Sequence, residues 1–261
     1  MVEHKFSEEL DLAKRAAYEV GKLQLRYFEG NLQVIRKAPK ELVSDADMAC
    51  QELSHDLLTE AFPYPVLSEE VRNVDVTTQN TFWVVDPVDG THNFIAGLPL
   101  FGVSIALVSG RQFVVGAIYL PFFDKLFYAA KEQGAYMNGI RIHVSGNEKL
   151  EKSMITYDNQ FHLSPHALKR YEVLTKSVFT TRILGSAIYD FTLIASAKID
   201  ARVWNKTKLV DIAAGSVIVE EAGGRVTDFQ GSPVTLSSHQ EVIASNYLVH
   251  DELIAILNES N

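Results

Sequence analysis

Cysteine is almost absent from this chain, since Cys50 is the only one among 261 residues. A single thiol excludes an internal disulfide and a thiolate-rich metal site, so we expect a reducing, cytoplasmic setting. Long apolar runs are also missing, and none approaches the length of a membrane-spanning helix. Residues 1–12 mix charged with apolar side chains and lack the apolar stretch of a secretion signal. These absences predict a protein with no membrane partner.

Basic side chains are in the minority, because 24 Lys and Arg stand against 33 Asp and Glu and the formal net charge is −9. Nucleic-acid-binding domains carry basic patches, so we expect no nucleic-acid partner. The same negative charge repels an anionic substrate, which would need bound cations to reverse the local potential. With 47% hydrophobic residues, the chain can still bury a full core.

Internal repeats and low-complexity linkers are missing as well. Amphipathic periodicity predicts a helix over residues 6–28 and a second helix with Ser44 as its N-cap. Short apolar or alternating runs predict a strand-rich stretch over 82–138. The second half alternates strands with helices, and the helices are predicted at 164–174, 186–197, 211–222 and 249–257. This order predicts a layered α/β (α+β) fold with an N-terminal half, 1–150, and a C-terminal half, 151–261.

The segment from Trp83 to Phe94 carries the strongest chemical signal. It reads Trp-Val-Val-Asp-Pro-Val-Asp-Gly-Thr-His-Asn-Phe and places Asp86 and Asp89 at the end of an apolar run. Carboxylates suit hard divalent cations such as Mg²⁺, and a Gly-Thr turn that leads into a helix suits a phosphate. Asp-Gly after a strand is also a common turn. However, a carboxylate at the mouth of a buried strand needs a partner, which favours the chemical interpretation.

Other oxygen ligands accompany these two acids. Pro87 stiffens the backbone between them, which makes the Val88 carbonyl a candidate ligand. Four more acids lie at the edges of apolar elements, and they are Asp47, Glu69, Glu70 and Asp211. Singly, such acids are most often solvated or cap helices, but as a set they predict a metal cluster. The eight His residues suggest no Ser/His/Asp arrangement, so nothing indicates a covalent nucleophile.

In order and spacing, these segments resemble the inositol monophosphatase family of Mg²⁺-dependent, lithium-sensitive phosphatases. The two signatures are matched by Asp86-Pro-Val-Asp-Gly-Thr-His-Asn-Phe94 and by Asp211-Ile-Ala-Ala-Gly215 with Glu221-Ala-Gly-Gly224. Three further segments agree, and they are Lys37 through Glu41-Leu-Val-Ser-Asp-Ala-Asp47, Leu67-Ser-Glu-Glu70 and Gly185-Ser-Ala187. The resemblance covers nearly the whole chain. It implies a layered αβαβα sandwich and a homodimer.

The resemblance also implies two or three Mg²⁺ ions per active site. The first would be bound by Glu69, Asp86 and the Val88 carbonyl, the second by Asp86, Asp89 and Asp211, and a weaker third near Glu69 and Glu70. Mg²⁺ retains several waters and takes few protein carboxylates together with substrate phosphate oxygens, which suits a shared-acid arrangement.

Catalytic and substrate roles follow from the same resemblance. The catalytic residues would be Asp47, Thr91 and Glu70, of which Thr91 and Asp47 would polarise the water that attacks phosphorus. The amides of Gly90 and Thr91 would bind the phosphate. The remaining substrate contacts would come from Asp89, Gly185, Ser186, Ala187 and Trp204. The family varies at His92, which we interpret as a loop residue.

The chain departs from the family at the position that reads ring hydroxyls. The usual Glu seven residues before Asp211 is Trp204, which accepts no hydrogen bond but offers a ring for stacking on a sugar or base. Nearby Arg202, Lys206 and Lys208 are either solvated or read a second anionic group. Inositol monophosphate is the default substrate, and fructose 1,6-bisphosphate or a nucleotide of the 3′-phosphoadenosine or NADP type is the alternative. A non-catalytic regulatory protein is a further alternative, which the complete set of acids disfavours.

Overall fold

Helices and strands alternate along the chain in the computed structural model, which describes residues 5–28, 30–38, 41–69, 74–75, 78–237 and 240–259. Its α-helices are α1 (Ser7–Tyr27), α2 (Asp45–Ala61), α3 (Thr91–Ile95), α4 (Ala167–Ser177), α5 (Ala187–Ala195), α6 (Leu209–Glu221) and α7 (His250–Asn258). Its strands are β1 (Val34–Ala38), β2 (Glu41–Ser44), β3 (Val66–Ser68), β4 (Thr81–Asp89), β5 (Gly102–Ser109), β6 (Gln112–Leu120), β7 (Lys125–Ala130), β8 (Ala135–Met137), β9 (Ile140–Ile142), β10 (Met154–Tyr157), β11 (Thr180–Arg182), β12 (Ala201–Trp204), β13 (Arg225–Thr227) and β14 (Val242–Ser245).

The first half of the chain forms a seven-stranded sheet in the order β3-β4-β5-β6-β7-β8-β9. Neighbouring strands are antiparallel, except that β3 and β4 are parallel. The tight hairpin between β5 and β6 turns through Gly110 and Arg111, whose φ angles are 58° and 65°. Two successive positive φ angles match the twist of the flanking strands and favour this connection. β1 and β2 form a separate antiparallel pair.

The second half forms a five-stranded sheet in the order β11-β10-β12-β14-β13. β10 is parallel to both β11 and β12, whereas β14 is antiparallel to both of its neighbours. The carboxyl ends of parallel strands in such a sheet are a common place for ligands. Here β12 ends at Trp204, shortly before α6 begins at Leu209.

Alternation of side chains on β4 builds two separate cores. Trp83 and Val85 pack with α1 and α2, whereas Phe82 and Val84 pack with α5 and α6. The five-stranded sheet covers the other side of α5 and α6, and its own outer face packs with α4 and α7. The result is five layers in the order αβαβα, which confirms the predicted fold class.

The central layer packs closely against the large sheet. A Cβ on Gly116 of β6 would lie 2.4 Å from the Ala214 carbonyl oxygen of α6, so only glycine fits there. The core around α5 and α6 contains residues from both sheets. The division of the chain near residue 150 stays a prediction.

Several boundaries differ from the sequence predictions. The strand predicted to end before Asp86 continues to Asp89. The helix predicted from residue 164 begins at Ala167, because residues 165–166 form a turn. The strand Ile140–Ile142 was not predicted. In the described part of the chain, no helix combines the length and the apolar character needed to cross a bilayer.

Candidate active site

Asp86 and Asp89 lie at an irregular end of β4. Side chains three positions apart on a regular strand point to opposite faces, but the pairing with β5 shifts between these two residues. Both carboxyls therefore turn inward, with 2% and 7% of their surfaces exposed. Two hydrogen bonds fix this segment: Val88 N donates to Asp86 Oδ1 at 3.1 Å, and Gln24 Nε2 donates to the Pro87 carbonyl at 2.7 Å.

Gly90 makes the turn from β4 into α3. Its φ is 84°, and a Cβ there would lie 2.6 Å from the Leu100 carbonyl oxygen. Glycine alone tolerates both the conformation and the close approach. The turn allows α3 to begin at Thr91, directly beyond the two acids.

Asp47 reaches the same place from the first turn of α2. Ser44 donates to Asp47 Oδ2 through its backbone N–H at 2.7 Å and through its hydroxyl at 2.5 Å. The other oxygen, Oδ1, accepts from Thr91 Oγ1 at 3.2 Å, across 44 residues of sequence. Thr91 Oγ1 also lies 3.0 Å from the Val88 carbonyl oxygen. Three predicted site residues therefore meet at one point.

Asp211 enters from the C-terminal half of the chain. It is the third residue of α6, which begins at Leu209, two residues before the predicted start. Its Oδ2 accepts from Thr207 Oγ1 at 2.9 Å and from Lys208 N at 2.8 Å. A carboxylate in this position satisfies a free N–H and interacts favourably with the helix dipole. Capping therefore fixes the carboxyl that a metal would use.

The carboxyls of Asp86, Asp89 and Asp211 converge, and one oxygen from each lies within 4.8 Å of the other two. Burial is the main cause that raises their pKa values, well above the ordinary range for Asp86, to about 7 for Asp89 and to about 6 for Asp211. Repulsion between neighbouring acids raises them further. Buried charges this close are costly without a cation, and an all-oxygen donor set fits a hard divalent ion.

The start of α5 holds Asp89 from the other half of the chain. Ser186 donates its hydroxyl to Asp89 Oδ2, and the N–H groups of Ala187 and Ile188 donate to Asp89 at 3.1 and 3.4 Å. The turn before them contains Gly185, whose φ is 75°. The predicted Gly-Ser-Ala turn thus contacts the cluster through the second and third of its residues.

Asn93, a residue of the first signature with no predicted role, connects this turn to that signature. Its Nδ2 donates to the Leu100 carbonyl at 2.9 Å and to the Leu184 carbonyl at 2.8 Å. The position of Asn93 inside the first signature could have indicated a structural role for it from the sequence. No sequence pattern indicates the role of Gln24, because the Pro87 carbonyl to which it donates is 63 residues away.

Glu69 lies at the end of β3 and forms an ion pair. Lys208 Nζ donates to Glu69 Oε1 at 2.7 Å. After burial, the charge of Glu69 is the next cause that raises the pKa of both Asp86 and Asp211, so Glu69 lies beside the cluster. The predicted catalytic residue Glu70 lies outside the described residues.

The structure corrects the expectation that Trp204 stacks on the substrate. The indole is 3% exposed and stacks on Phe191 of α5, with ring centroids 4.6 Å apart. Arg202, on the same face of β12, is 4% exposed and forms an ion pair with the buried Asp190. Neither side chain is therefore available to read a sugar, a base or a second anionic group.

Of the three basic residues singled out near Trp204, Lys206 is the exposed one, and it lines a cavity of about 460 Å³. Polar side chains dominate the cavity wall, among them Ser164, His166, Asn205, Gln230 and Glu241. Because Lys206 is two residues from Lys208, the cavity adjoins the loop that carries the Glu69 ion pair.

The raised pKa values predict that the metal-free protein loses stability as the pH rises. In the unfolded chain an Asp carboxyl has a pKa of about 4, so the folded state binds these protons more tightly. The resulting stabilisation is complete below about pH 4. It is lost as the pH passes the folded values, about 6 for Asp211 and about 7 for Asp89. Melting curves in chelator should show midpoints that fall as the pH rises from about 4 to about 7.

Saturating Mg²⁺ should reduce this fall, because a bound cation favours the charged carboxylates. Titrating groups elsewhere contribute equally with and without Mg²⁺, so the difference between the two curves isolates the cluster. Asp89→Asn removes one titrating group and should flatten the curve in chelator. Equal pH dependence in chelator and in Mg²⁺ for the unmodified protein would contradict the prediction.

Known proteins resemble this chain over nearly its whole length. The model of the inositol monophosphatase family matches residues 6–261. A fructose-1,6-bisphosphatase/inositol-1-monophosphatase of Aquifex aeolicus is 35% identical, over 95% of this chain and 94% of its own length. An inositol-1-monophosphatase of Mesorhizobium japonicum is also 35% identical, over 94% of this chain and 94% of its own length.

Among solved structures, the extragenic suppressor protein suhB from Bartonella henselae superposes with a TM-score of 0.91. It is 32% identical, and the match covers 97% of this chain and 99% of that one. Sequence, fold and site geometry agree, and the chain belongs to the inositol monophosphatase family of phosphatases.

Proposed function

We propose that the protein is a Mg²⁺-dependent phosphomonoesterase that acts on a small polyol or sugar phosphate, with inositol monophosphate as the default substrate. One observation carries the proposal: oxygens of Asp86, Asp89 and Asp211 lie within 4.8 Å of one another, with Asp86 and Asp89 buried and Asp211 half-buried. Because the net charge is −9, a phosphate ester would need cations at this site to bind.

Two metal ions would share Asp86 as a ligand. The residues that would hold them are Glu69, Asp86 and the Val88 carbonyl for one, and Asp86, Asp89 and Asp211 for the other, with Glu70 near a weaker third. Bound Mg²⁺ would lower the pKa of water and stabilise the negative charge on the leaving oxygen.

Gly90 and Thr91 would bind the phosphate and prepare the attacking water. The first N–H groups of a helix have no partner within the helix and favour anions, so the start of α3 suits phosphate oxygens. The Thr91 hydroxyl, 3.2 Å from Asp47 Oδ1, would donate to Asp47 and accept a hydrogen bond from the water. Burial raises the pKa of Asp47, which makes its carboxylate a stronger base.

Recognition of the leaving group would fall to residues other than Trp204, which is buried. Ser186 and Ala187 at the start of α5 contact Asp89 and are the expected substrate contacts together with Gly185. Hydrolysis of a bisphosphate is a second candidate, because the exposed Lys206 lines a polar cavity and lies two residues before Lys208, which pairs with Glu69. The name of the Aquifex aeolicus relative includes both fructose-1,6-bisphosphatase and inositol-1-monophosphatase activity, which supports the second candidate beside the first.

Family resemblance further supports a cytoplasmic homodimer that is inhibited by lithium. A purely regulatory, non-catalytic role is less favoured, because five of the six predicted acids lie in the described residues and all five are near the proposed metal site. These acids are Asp47, Glu69, Asp86, Asp89 and Asp211.

A substrate panel tests the proposal. Phosphate release should be measured with inositol 1-phosphate, fructose 1,6-bisphosphate, 3′-phosphoadenosine 5′-phosphate and NADP, with and without Mg²⁺ and lithium. We expect the highest kcat/KM for inositol 1-phosphate, no release without Mg²⁺, and inhibition by lithium. Faster turnover of a bisphosphate would favour the second candidate. No release from any ester in Mg²⁺ would refute the proposed reaction.

A further inference from the structure

The ammonium group of Lys208 lies beside the acidic site. Its Nζ donates to Glu69 Oε1 at 2.7 Å, although the two residues are 139 positions apart. The pair is only partly solvated, with 42% of the Lys208 side chain and 21% of the Glu69 side chain exposed. The backbone of Lys208 is also fixed, because its N–H donates to Asp211 Oδ2 at 2.8 Å. The ammonium therefore has a defined position.

The charge of Lys208 reaches the converging acids as well as Glu69. Burial and then Glu69 raise the pKa of Asp211, whereas the hydrogen bond from Lys208 N and the Lys208 charge lower it. An ammonium that favours charged carboxylates here has the same electrostatic effect as a metal ion at this position. Lys208 and a divalent cation would therefore stabilise the same set of acids.

We infer that Lys208 is an internal counter-cation that occupies Glu69 when no metal is bound and competes with a divalent cation for that carboxylate. The inference rests on the proposed function, because it takes Glu69 to be a metal ligand. Filling the site requires Nζ to leave Glu69. The partly exposed side chain has room to move while the backbone N–H stays on Asp211. Lys208 is thus a positioning residue that sets the metal concentration at which the site fills.

Lys206 provides a matched control in the same loop. It carries the same charge two residues away, it is exposed, and it lines the neighbouring cavity. Within the described part of the chain, the ion pairs include Lys208 with Glu69 but none that involves Lys206. Lys206→Met therefore reproduces the loss of one positive charge without releasing Glu69.

Calorimetric titration of the full chain with Mg²⁺, in the absence of substrate, tests the inference. Lys208→Met should bind Mg²⁺ about fivefold more tightly than the unmodified protein, the scale of one partly exposed ion pair. Lys208→Arg, which keeps the pair with Glu69, and Lys206→Met should stay within about twofold. In chelator, Lys208→Met should melt at a lower temperature than the unmodified protein, and saturating Mg²⁺ should restore more of its stability.

Unchanged or weaker Mg²⁺ binding by a folded Lys208→Met protein would overturn the inference, as would equal tightening by Lys206→Met. Melting curves establish that each variant is folded. If Lys208→Met does not fold, Lys208→Arg replaces it as the comparison. The Mg²⁺ affinity of Lys208→Arg must then match that of the unmodified protein. Failure of the proposed function looks different, because the unmodified protein would then bind no Mg²⁺ or release no phosphate.

Discussion

Substitution of Asp89 by Asn is expected to reduce Mg²⁺-dependent phosphate release by about 10³-fold or more, since a metal contributes several kcal/mol to the transition state and each 1.36 kcal/mol is a factor of ten. Asp89 contributes one of the three convergent oxygens, and the Asn side chain removes a negative charge at the same size. Steady-state phosphate release measures the loss. Calorimetry should show weaker Mg²⁺ binding in parallel.

The Asp89→Asn fold should be retained. An Asn Oδ1 in place of Asp89 Oδ2 still accepts from the Ser186 hydroxyl and the Ile188 N–H, whereas the Ala187 N–H loses its acceptor. The loss of that one hydrogen bond, about 1 kcal/mol, is offset because the substitution removes a buried, repelling charge from the metal-free cluster. Metal-free Asp89→Asn should therefore melt no lower than the unmodified protein at pH 8. Loss of activity with a large drop in melting temperature would indicate a structural role instead.

Asp200→Asn is the matched control for this experiment. Asp200, directly before β12, is 8% exposed and accepts hydrogen bonds from Ser145 Oγ at 2.6 Å and from Met154 N at 2.8 Å. Its neutralisation should cost stability, because these are charge-assisted bonds, but should leave Mg²⁺ affinity unchanged.

Full activity in Asp89→Asn would refute the metal assignment of that residue.

The acids could be found from the sequence because each is fixed by local rules. Asp47 follows Ser44 at the spacing of a helix cap, and Asp86 follows the apolar run at the start of β4. Asp211 lies in the first turn of an apolar helix and caps it. Such signals depend on a few neighbouring residues. The resemblance to the family signatures then predicted that the acids lie together in one metal site. The side chains that join distant segments, such as Lys208 with Glu69, have no comparable local pattern.

The role of Trp204 could not be found in this way, because it depends on which layers enclose β12. On a two-residue period, Arg202 and Trp204 share one face and Val203 the other. The sequence does not say that both faces are covered, one by α5 and α6 and the other by α4 and α7. If one face of β12 were exposed to solvent, the indole could contact a ligand. In this fold both faces of β12 are covered.

Replacement of Trp204 by Ala should therefore act on stability rather than on substrate binding. The indole is 3% exposed and stacks on Phe191 at 4.6 Å, so its truncation should lower the free energy of unfolding by about 3–5 kcal/mol. Urea denaturation measures this change. The KM for the best substrate of the panel should stay within about twofold at a temperature where the variant is folded.

Trp204→Phe separates packing from polarity at this position. Among the described residues, Trp204 Nε1 is buried without a hydrogen-bond partner, so replacing indole by phenyl loses ring volume but no hydrogen bond. The Phe variant should retain the stack on Phe191 and lose clearly less stability than Trp204→Ala. If Trp204 touched the substrate instead, both variants would raise KM severalfold with little change in stability. That outcome would require α5 to move away from β12 in the working enzyme, because the indole is otherwise enclosed between them.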